Sequence, residues 1–469
     1  MPMVRRIVQG MRILVVVLLL AYATDWAILR VRIAHGTAFQ VIEVHQLLAT
    51  PLKGQKEEYD FMGDLPVQCS RSIFPQAGNP ACGWMARHTT EWQKRKQWLG
   101  PPQNSYNESM NTAEVTFEQL QQVVEAGGRI SRDEARWLWK HASDAELREL
   151  AMQVRSRFHA PGSCTYMIMR IVNYTNVCVA QCDYCAFYRL PGQAGGYVMQ
   201  QDEVFRKLDE LLILGGDLAA FNGGFNPQLP LTYYCDLFRS IRDRYGDRLE
   251  FYALTIAEFL YLADHARLDY RTTAERFKAA GVRWITGGGS EILTEDFRKR
   301  HSKFKYTVAQ YFEAQRAIVD AGLRTTATMV IGFDESLEER LEHLERTRQF
   351  QDATKGLASF LCWTFKPYFT PLGSQLGGIE IGTGEYLRHL ALSRIFLDNI
   401  PHIRTSVLTQ NERALEGLAY GADDFDLPIE DEVTQKAGAT INLDFDRILG
   451  VARKLGFRPE YRHVAAQCI

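Results

Sequence analysis

Three cysteines stand within eight residues of one another and form the stretch best suited to chemistry. Cys178, Cys182 and Cys185 follow a C-x-x-x-C-x-x-C spacing inside N-Y-T-N-V-C-V-A-Q-C-D-Y-C-A-F-Y-R, residues 173–189. On a loop, three thiolates at this spacing reach one inorganic centre. They are one ligand short of a closed zinc site, and they leave one iron of a 4Fe–4S cluster without a cysteine. The spacing favours a cluster with a vacant iron over structural zinc or a chance grouping.

Other candidate site residues come directly after predicted strands. Glycines at such positions let backbone approach a ligand closely, and a carboxylate beside them can reach it. A solvated loop carboxylate and a plain strand-end turn are the alternatives. Lys366 and Tyr368 are weaker pocket candidates of the same kind. The main candidates at strand ends are Asn222, Gly223, Gly224, Thr255, Ser290 and Glu291.

The elements that must position these residues alternate between strand and helix. Seven or eight β–α units in residues 161–430 predict an α/β fold, a (β/α) barrel of the TIM type. The loops at the carboxyl ends of its strands meet at one mouth, so the cysteine loop and the strand-end residues should converge. Residues 110–160 carry two N-cap signatures and predict a lead-in of three helices. Residues 431–469 are expected to be a helical C-terminal region.

Composition limits the other possibilities. The 469 residues include 54 basic and 56 acidic side chains, which gives no basic surface of the kind that binds nucleic acid. Nine cysteines, an odd number widely spread, argue against a disulfide framework. The cysteines expected to be small buried hydrophobic residues are Cys164, Cys235, Cys362 and Cys468.

The first 109 residues differ from the rest. In residues 1–35, arginines precede an apolar run at residues 13–23, which is typical of a signal peptide or membrane anchor. Extending the run to residue 31 gives enough length to span a bilayer but includes Asp25 and Arg30, which are costly in lipid. Residues 36–109 are rich in Gly, Pro and polar residues and predict turns and a linker. Cys69 and Cys82 would pair if this part were exported, and are otherwise ordinary thiols.

The residues of the cysteine loop resemble a known family. C-V-A-Q-C-D-Y-C is similar to the cluster loop of radical S-adenosylmethionine (radical SAM) enzymes, and the wider string resembles their menaquinone and deazaflavin branch. The stretches G-G-G-S-E-I-L, W-T-F-K-P and G-A-D-D-F-D resemble the cyclic dehypoxanthinyl futalosine synthases of that branch. The resemblance covers residue 110 to the C-terminus. Three positions depart from it: Asn222 replaces a usual Gln, Phe225 a usual His, and Y-A-L-T-I-A-E-F an S-P-P-E-like form.

The resemblance implies cofactors and roles. Cys178, Cys182 and Cys185 would hold a 4Fe–4S cluster whose open iron binds S-adenosylmethionine, and Tyr184 and the Asn222–Gly224 backbone would lie against that cofactor. Glu291 would reach the cofactor's ribose or the substrate. A 5′-deoxyadenosyl radical would take hydrogen from the ribose of dehypoxanthine futalosine, and ring closure with loss of an electron and a proton would give the spiro-cyclic product. The catalytic proton acceptor is unassigned.

Several alternatives stay open. Aminofutalosine synthase and deazaflavin-forming synthases are the nearest competing functions, and a non-catalytic, membrane-tethered metal-binding protein is a competitor of another class. The expected partners are a small-molecule substrate and an electron donor such as flavodoxin or ferredoxin, with membrane contact possible through residues 11–31. The barrel is expected in the cytoplasm. The first 109 residues are interpreted as a membrane anchor, a fused small membrane protein, or sequence upstream of a true start at Met110.

Overall fold

The computed structural model describes residues 21–33, 35, 37–52, 56–74, 76, 81–87, 90–94 and 115–464. The chain divides into two units, Met1–Met110 and Asn111–Ile469. The change in composition predicted a boundary between residues 109 and 110. Residues 21–33 are helical. No helix in the described ranges is long and apolar enough to cross a membrane. Residues 11–20 lie outside those ranges, so membrane contact through residues 11–31 stays a prediction.

The first unit contains a small sheet where the sequence predicted mainly turns. Strand β1 (Phe39–Leu52) pairs antiparallel with β2 (Lys56–Ser70) and parallel with β3 (Thr90–Lys94). Both long strands contain β-branched, aromatic and other apolar residues that favour strands, but the Gly and Pro residues in and around them led to a prediction of turns. Cys69 and Cys82 form a disulfide, with Cys82 opening the short helix Cys82–Met85. The sequence left open whether these two cysteines are paired or free, and in the structure they are paired.

The second unit is a closed barrel of eight parallel strands, as the sequence predicted. The strands pair in chain order, and pairing of the first with the last closes the barrel. A ninth strand, β12, pairs parallel with the amino-terminal half of the first barrel strand, β4. The barrel strands and the addition are β4 (Ser163–Val172), β5 (Leu218–Phe221), β6 (Glu250–Thr255), β7 (Trp284–Thr286), β8 (Arg324–Ile331), β9 (Leu357–Thr364), β10 (His402–Thr405), β11 (Asp424–Pro428) and β12 (Arg458–Tyr461).

Helices surround the barrel and precede it. The predicted lead-in of three helices is confirmed, and its capping boxes form at Thr116, Ser131 and Ser143. The predicted helical C-terminal region is only partly right, because β12 lies within it. The α-helices of this unit are Phe117–Glu125, Arg132–His141, Asp144–Arg155, Gln201–Ile213, Leu231–Tyr245, Ile256–His265, Tyr270–Ala279, Glu295–His301, Val308–Asp320, Leu337–Thr354, Pro371–Gln375, Thr383–Phe396, Val407–Gln410, Glu432–Lys436 and Phe445–Lys454, with 3-10 turns at Gly246–Arg248 and Asn411–Tyr420.

A buried network joins the amino ends of two strands to the lead-in. Asp423 accepts from His402 Nδ1 at 2.5 Å and from His159 Nε2 at 3.1 Å, and from the Ile403 amide at 2.8 Å. The ligand atoms of these two histidines and Asp423 lie within 4.8 Å of one another. The Nε of buried Arg155 binds the carbonyl of Ala422, next to Asp423. With imidazoles, an amide and a nearby guanidinium around it, the carboxylate is already compensated, so the network is structural.

Candidate active site

The cysteine loop follows β4 and is fixed by the asparagines that precede it. The Asn173 amide donates to the Asn222 carbonyl at 2.9 Å, and its oxygen accepts from the Glu432 amide at 2.8 Å. The Asn176 side-chain amide donates to the Gly195 carbonyl at 2.8 Å, and its oxygen accepts from the Tyr197 amide at 2.8 Å. These side chains replace the regular ladder that ends with the strand. They hold the loop between the ends of β5 and β11, which explains the N-Y-T-N sequence.

The three cysteines line one cavity of about 300 Å³ at the carboxyl end of the barrel. All three thiols are free, with Cys182 buried and the other two half-buried. Burial raises the pKa of each thiol, that of Cys182 to about 12. The volume is that of a small-molecule site. The convergence that the barrel order predicted is therefore present at this mouth.

The glycine pair after β5 is required by the closeness of the cysteine loop. A Cβ on Gly224 would lie 2.2 Å from the Val177 carbonyl oxygen and 2.7 Å from Cys178 Cβ. A Cβ on Gly223 would lie 2.6 Å from the Tyr174 ring. The Gly224 amide also donates to the Thr175 carbonyl at 3.0 Å. These glycines let the two loops touch, so the backbone beside the cysteines has no room for side chains.

Glu258 ties this backbone to the next strand, and sequence reasoning did not single it out. Its carboxylate accepts from the Gly223 amide at 2.8 Å, from Thr255 N at 2.9 Å and Thr255 Oγ1 at 2.6 Å, and from the Tyr174 hydroxyl. Burial raises the pKa of this carboxyl. Locally it completes a capping box with Thr255, which is the signal that the sequence T-I-A-E offered. Its bonds to Tyr174 and Gly223 span distant parts of the chain and left no local sign.

A buried lysine joins two of the predicted site residues. Lys305 Nζ lies 3.0 Å from both carboxylate oxygens of Glu291 and 3.0 Å from the Tyr184 hydroxyl. Burial would lower the pKa of Lys305, but the negative charges of Cys182 and Glu291 outweigh it and raise the pKa. Glu291 itself has a left-handed backbone, φ 42°, which turns its side chain toward the cavity. No motif in the sequence marks Lys305.

Charged groups from β10 and β11 also line the cavity, and β11 pairs directly with the strand before the cysteine loop. Arg404 lies 3.2 Å from Asp424 and 3.2 Å from Asp426, and it lines the cavity together with Asp426. Burial raises the pKa of Asp426. Lys366 also lines the cavity and pairs with Glu380 at 2.6 Å. These groups can therefore donate and accept hydrogen bonds, while the rest of the lining is mainly apolar.

The structure brings together most residues that the sequence selected. Six of the seven cofactor-binding candidates line the cavity: Tyr184, Asn222, Gly223, Gly224, Thr255 and Glu291. Ser290 does not line it, because its buried hydroxyl bonds to the backbone oxygen of Thr328 at 2.6 Å. Tyr368 is half exposed and also lies outside the lining. Cys164 and Cys362 are buried and Cys235 is half-buried, and Cys468 lies outside the described residues.

Two family models match successive parts of the barrel unit. Residues 172–347 match the radical SAM superfamily, and residues 354–468 match the CofH/MqnC C-terminal region. A cyclic dehypoxanthine futalosine synthase of Halalkalibacterium halodurans is 36% identical over 345 residues, 73% of this chain and 92% of that relative. An aminodeoxyfutalosine synthase of Thermus thermophilus is 35% identical over 324 residues, 68% of this chain and 86% of that relative.

Solved structures agree on the architecture. The crystal structure of a methylornithine synthase superposes with a TM-score of 0.58 over 74% of this chain and 99% of its own. The two sequences are 15% identical, so this likeness concerns the fold alone.

Proposed function

Because the chain belongs to the radical SAM superfamily, we propose that it is a radical SAM cyclase that converts dehypoxanthine futalosine to cyclic dehypoxanthinyl futalosine in menaquinone biosynthesis. The observation that carries the proposal is the convergence of three free thiols and a side-chain-free glycine pair on one cavity. The chain spans 92% of a relative with this activity in its name. We place the barrel unit in a reducing compartment, the cytoplasm, because its cluster site needs free thiols and a low-potential electron donor. The Cys69–Cys82 disulfide lies in the first unit, outside this barrel.

The donor set fits a 4Fe–4S cluster better than a single ion. In a tetrahedral zinc site with bonds of about 2.3 Å, thiolate sulfurs lie about 3.8 Å apart. Among the described residues, Cys178, Cys182 and Cys185 do not form a group whose ligand atoms all lie within 4.8 Å of one another. A cluster takes one thiolate on each of three irons and so accommodates a wider triangle. Gly223 and Gly224 line the same cavity as the three cysteines, so their backbone would lie against S-adenosylmethionine bound there.

The first task of the protein is to hold these groups. When bound, the cluster and S-adenosylmethionine supply reductive cleavage of a carbon–sulfur bond and hydrogen abstraction from the substrate. The three cysteines must bind as thiolates, and the Lys305 ammonium lowers the pKa of Cys182 against the effect of burial. Glu258 fixes the Gly223 amide and Thr255 in one position. The residues that contact the cofactor are thus held before it binds.

The second task is to orient the substrate and exclude water. Apolar side chains, among them Ile171, Val330 and Leu361, line the middle of the cavity. Arg404 and Asp426 in the same lining offer a donor and an acceptor for the hydroxyl groups of a sugar. Polar contacts and an apolar lining together hold an aromatic ring near a ribose, which is the geometry that the cyclisation requires.

Aminodeoxyfutalosine synthase is the second candidate, because its identity of 35% is nearly that of the cyclase. The two functions differ in substrate. Anaerobic incubation of the reconstituted protein with dehypoxanthine futalosine, or with the aromatic precursor that an aminodeoxyfutalosine synthase consumes, separates them by product mass. We expect the cyclic product from the first incubation only. Turnover of the second precursor alone would replace the proposal.

The cluster is tested separately. Anaerobic reconstitution should give about four irons and four sulfides per chain, and reduction with S-adenosylmethionine should release 5′-deoxyadenosine. Cys182→Ala should lose both. Cys235→Ala is the matched control, since this half-buried thiol lies outside the cavity, and it should retain both. Zinc in place of iron would favour a non-catalytic metal-binding protein.

A further inference from the structure

The short segment between the second and third cysteines of the loop is held by two other parts of the chain. The amide of Asp183, which follows Cys182, donates to the His301 carbonyl at 3.3 Å, and the Asp183 carbonyl accepts from the Leu372 amide at 2.8 Å. Gln181, directly before Cys182, has a left-handed backbone, φ 48°. A backbone of this kind persists where surrounding contacts hold it in place. The position of this segment therefore depends on the groups that bind Asp183.

One imidazole fixes the Asp183 carboxylate. His301 Nδ1 lies 3.0 Å from one carboxylate oxygen, and the other oxygen is buried with no hydrogen-bond partner among the described residues. The imidazole is itself buried, and its second nitrogen, Nε2, lies 2.8 Å from Asp334 on the loop after β8. Arg300 holds Asp334 in turn at 3.0 Å. His301 therefore links the segment between the two cysteines to the loop after β8.

The first cysteine of the loop is held by different contacts. The Cys178 amide donates to the Arg189 carbonyl at 2.9 Å, and the amide of the following residue donates to the Phe225 carbonyl at 3.1 Å. These partners belong to the cysteine loop itself and to the loop after β5, and not to the helix that ends at His301. Loss of the His301 contact should therefore displace the second and third cysteines and leave the first in place.

We propose that His301 is a positioning residue for the iron–sulfur cluster, which through Asp183 holds Cys182 and Cys185 at the spacing that two of the irons need. The inference rests on the proposed function, because that function places the cluster at these cysteines. His301 is not a cluster ligand and acts only through its contact with Asp183. Replacement of a residue that orients metal ligands in this way typically lowers metal affinity by about 10–100-fold, so the contact has a measurable effect on how firmly iron is held.

Two substitutions of the same histidine separate its two contacts. The side-chain amide nitrogen of glutamine takes the place of Nε2, so His301→Gln keeps the contact with Asp334 and loses the contact with Asp183. The amide nitrogen of asparagine takes the place of Nδ1, so His301→Asn keeps the contact with Asp183 and loses the contact with Asp334. A third variant, Asp183→Ala, removes the carboxylate and leaves the backbone hydrogen bonds of this residue available.

The matched control is a second histidine–aspartate pair at the opposite end of the barrel. His463 Nδ1 lies 3.0 Å from the carboxylate of Asp217, which directly precedes β5. This pair joins the same two kinds of atom at the same distance as the pair of His301 and Asp183. His463→Gln removes the contact far from the three cysteines along the barrel axis, so it should leave the cluster unchanged.

Each full-length variant is reconstituted anaerobically, and its iron and sulfide are counted. The rate at which an iron chelator removes iron is then measured, and the reduced cluster is characterised by electron paramagnetic resonance with and without S-adenosylmethionine. We expect His301→Gln and Asp183→Ala to release iron about tenfold faster than the wild type and to show an altered resonance spectrum. His301→Asn and His463→Gln should resemble the wild type in both measurements.

The double variant of His301→Gln with Asp183→Ala should release iron no faster than either single variant, because both substitutions remove the same contact. Wild-type iron release in His301→Gln or Asp183→Ala would overturn the inference. An equal loss in His301→Asn and His301→Gln would also overturn it, because the contact with Asp183 would then not be the one that matters. A wild-type protein that takes up no iron would instead overturn the proposed function.

Discussion

Replacing Gly224 by alanine should separate the cluster from its loop. The new Cβ would lie 2.2 Å from the Val177 carbonyl oxygen, whereas ordinary contact begins at 3.4 Å, so the oxygen must move by 3.4 − 2.2 = 1.2 Å. That oxygen belongs to the residue before Cys178. Metal–ligand distances tolerate about 0.2 Å, so the thiolate of Cys178 would leave its iron. Overpacking of about 1–3 kcal/mol and a weakened Gly224–Thr175 hydrogen bond of about 1 kcal/mol give a loss of about 2–4 kcal/mol in the free energy of unfolding.

Gly450→Ala is the matched control for this substitution. Gly450 lies inside the helix Phe445–Lys454, and its added Cβ would meet nothing within 4 Å. In a helix interior the change should stabilise the protein by about 0.5–1 kcal/mol. Urea unfolding of the two variants should therefore give opposite signs, and iron and sulfide analysis after anaerobic reconstitution should show a loss for Gly224→Ala only. A Gly224→Ala protein with wild-type stability and a full cluster would refute the argument from contact distance.

Two further predictions concern the structural network and the two units. Asp423→Asn should lower the free energy of unfolding by about 3 kcal/mol, because it breaks a buried, hydrogen-bonded charge, while the exposed Asp236→Asn should have little effect. Burial raises the pKa of Asp423, but the hydrogen bonds from His159 and His402 outweigh burial and hold the pKa below its usual 3.8. The stabilisation that the ionised carboxylate contributes is therefore lost as pH falls below 3.8. Burial lowers the pKa of His159, but Asp423 outweighs burial and raises that pKa above 6.5. The stabilisation that protonated His159 contributes is therefore lost as pH rises above 6.5. Urea unfolding from pH 3 to 9 should show the largest difference between wild type and Asp423→Asn near pH 4–6.5, and a constant difference would contradict the linkage. Residues 111–469 alone should fold and hold a full cluster, measured by iron content and circular dichroism, whereas an insoluble or cluster-free fragment would show that the barrel depends on the first unit.

The barrel and its cysteine loop could be predicted from the sequence because their signals are local. Strands alternate with capped helices, and three cysteines lie within one loop. The eighth strand was not identified individually, because its Asp424 and Asp426 are buried charges that pair with Arg404. A strand with buried acidic residues lacks the apolar pattern by which strands are identified. β12 is short and half exposed, and was missed for the same reason.

The site was predicted where residues follow strands and missed where they meet through space. The glycines after β5 could be recognised from their position at a strand end. Glu258, whose carboxylate binds the Gly223 amide, lies on the helix that follows a different strand, β6. Lys305 lies on a loop after the helix Glu295–His301, in sequence K-F-K-Y, which reads as an ordinary exposed turn. Its burial depends on Glu291 and Tyr184 closing around it. Such pairings depend on barrel closure, which no local window contains.

Closure of the barrel also sets the order in which the enzyme can mature in the cell. β4 pairs with β11, and Thr165 and Asp424 in that pairing are 259 residues apart. At synthesis rates of about 5–20 residues per second, β11 emerges about 13–50 s after β4. During that interval the cysteine loop lacks its wall, because Asp431 and Ala437 of the cavity lining are not yet made. We therefore expect the proposed cluster to be inserted only after β11 and the lining residues that follow it have been made, and a nascent chain stalled before β11 would leave its three thiols open to oxidants.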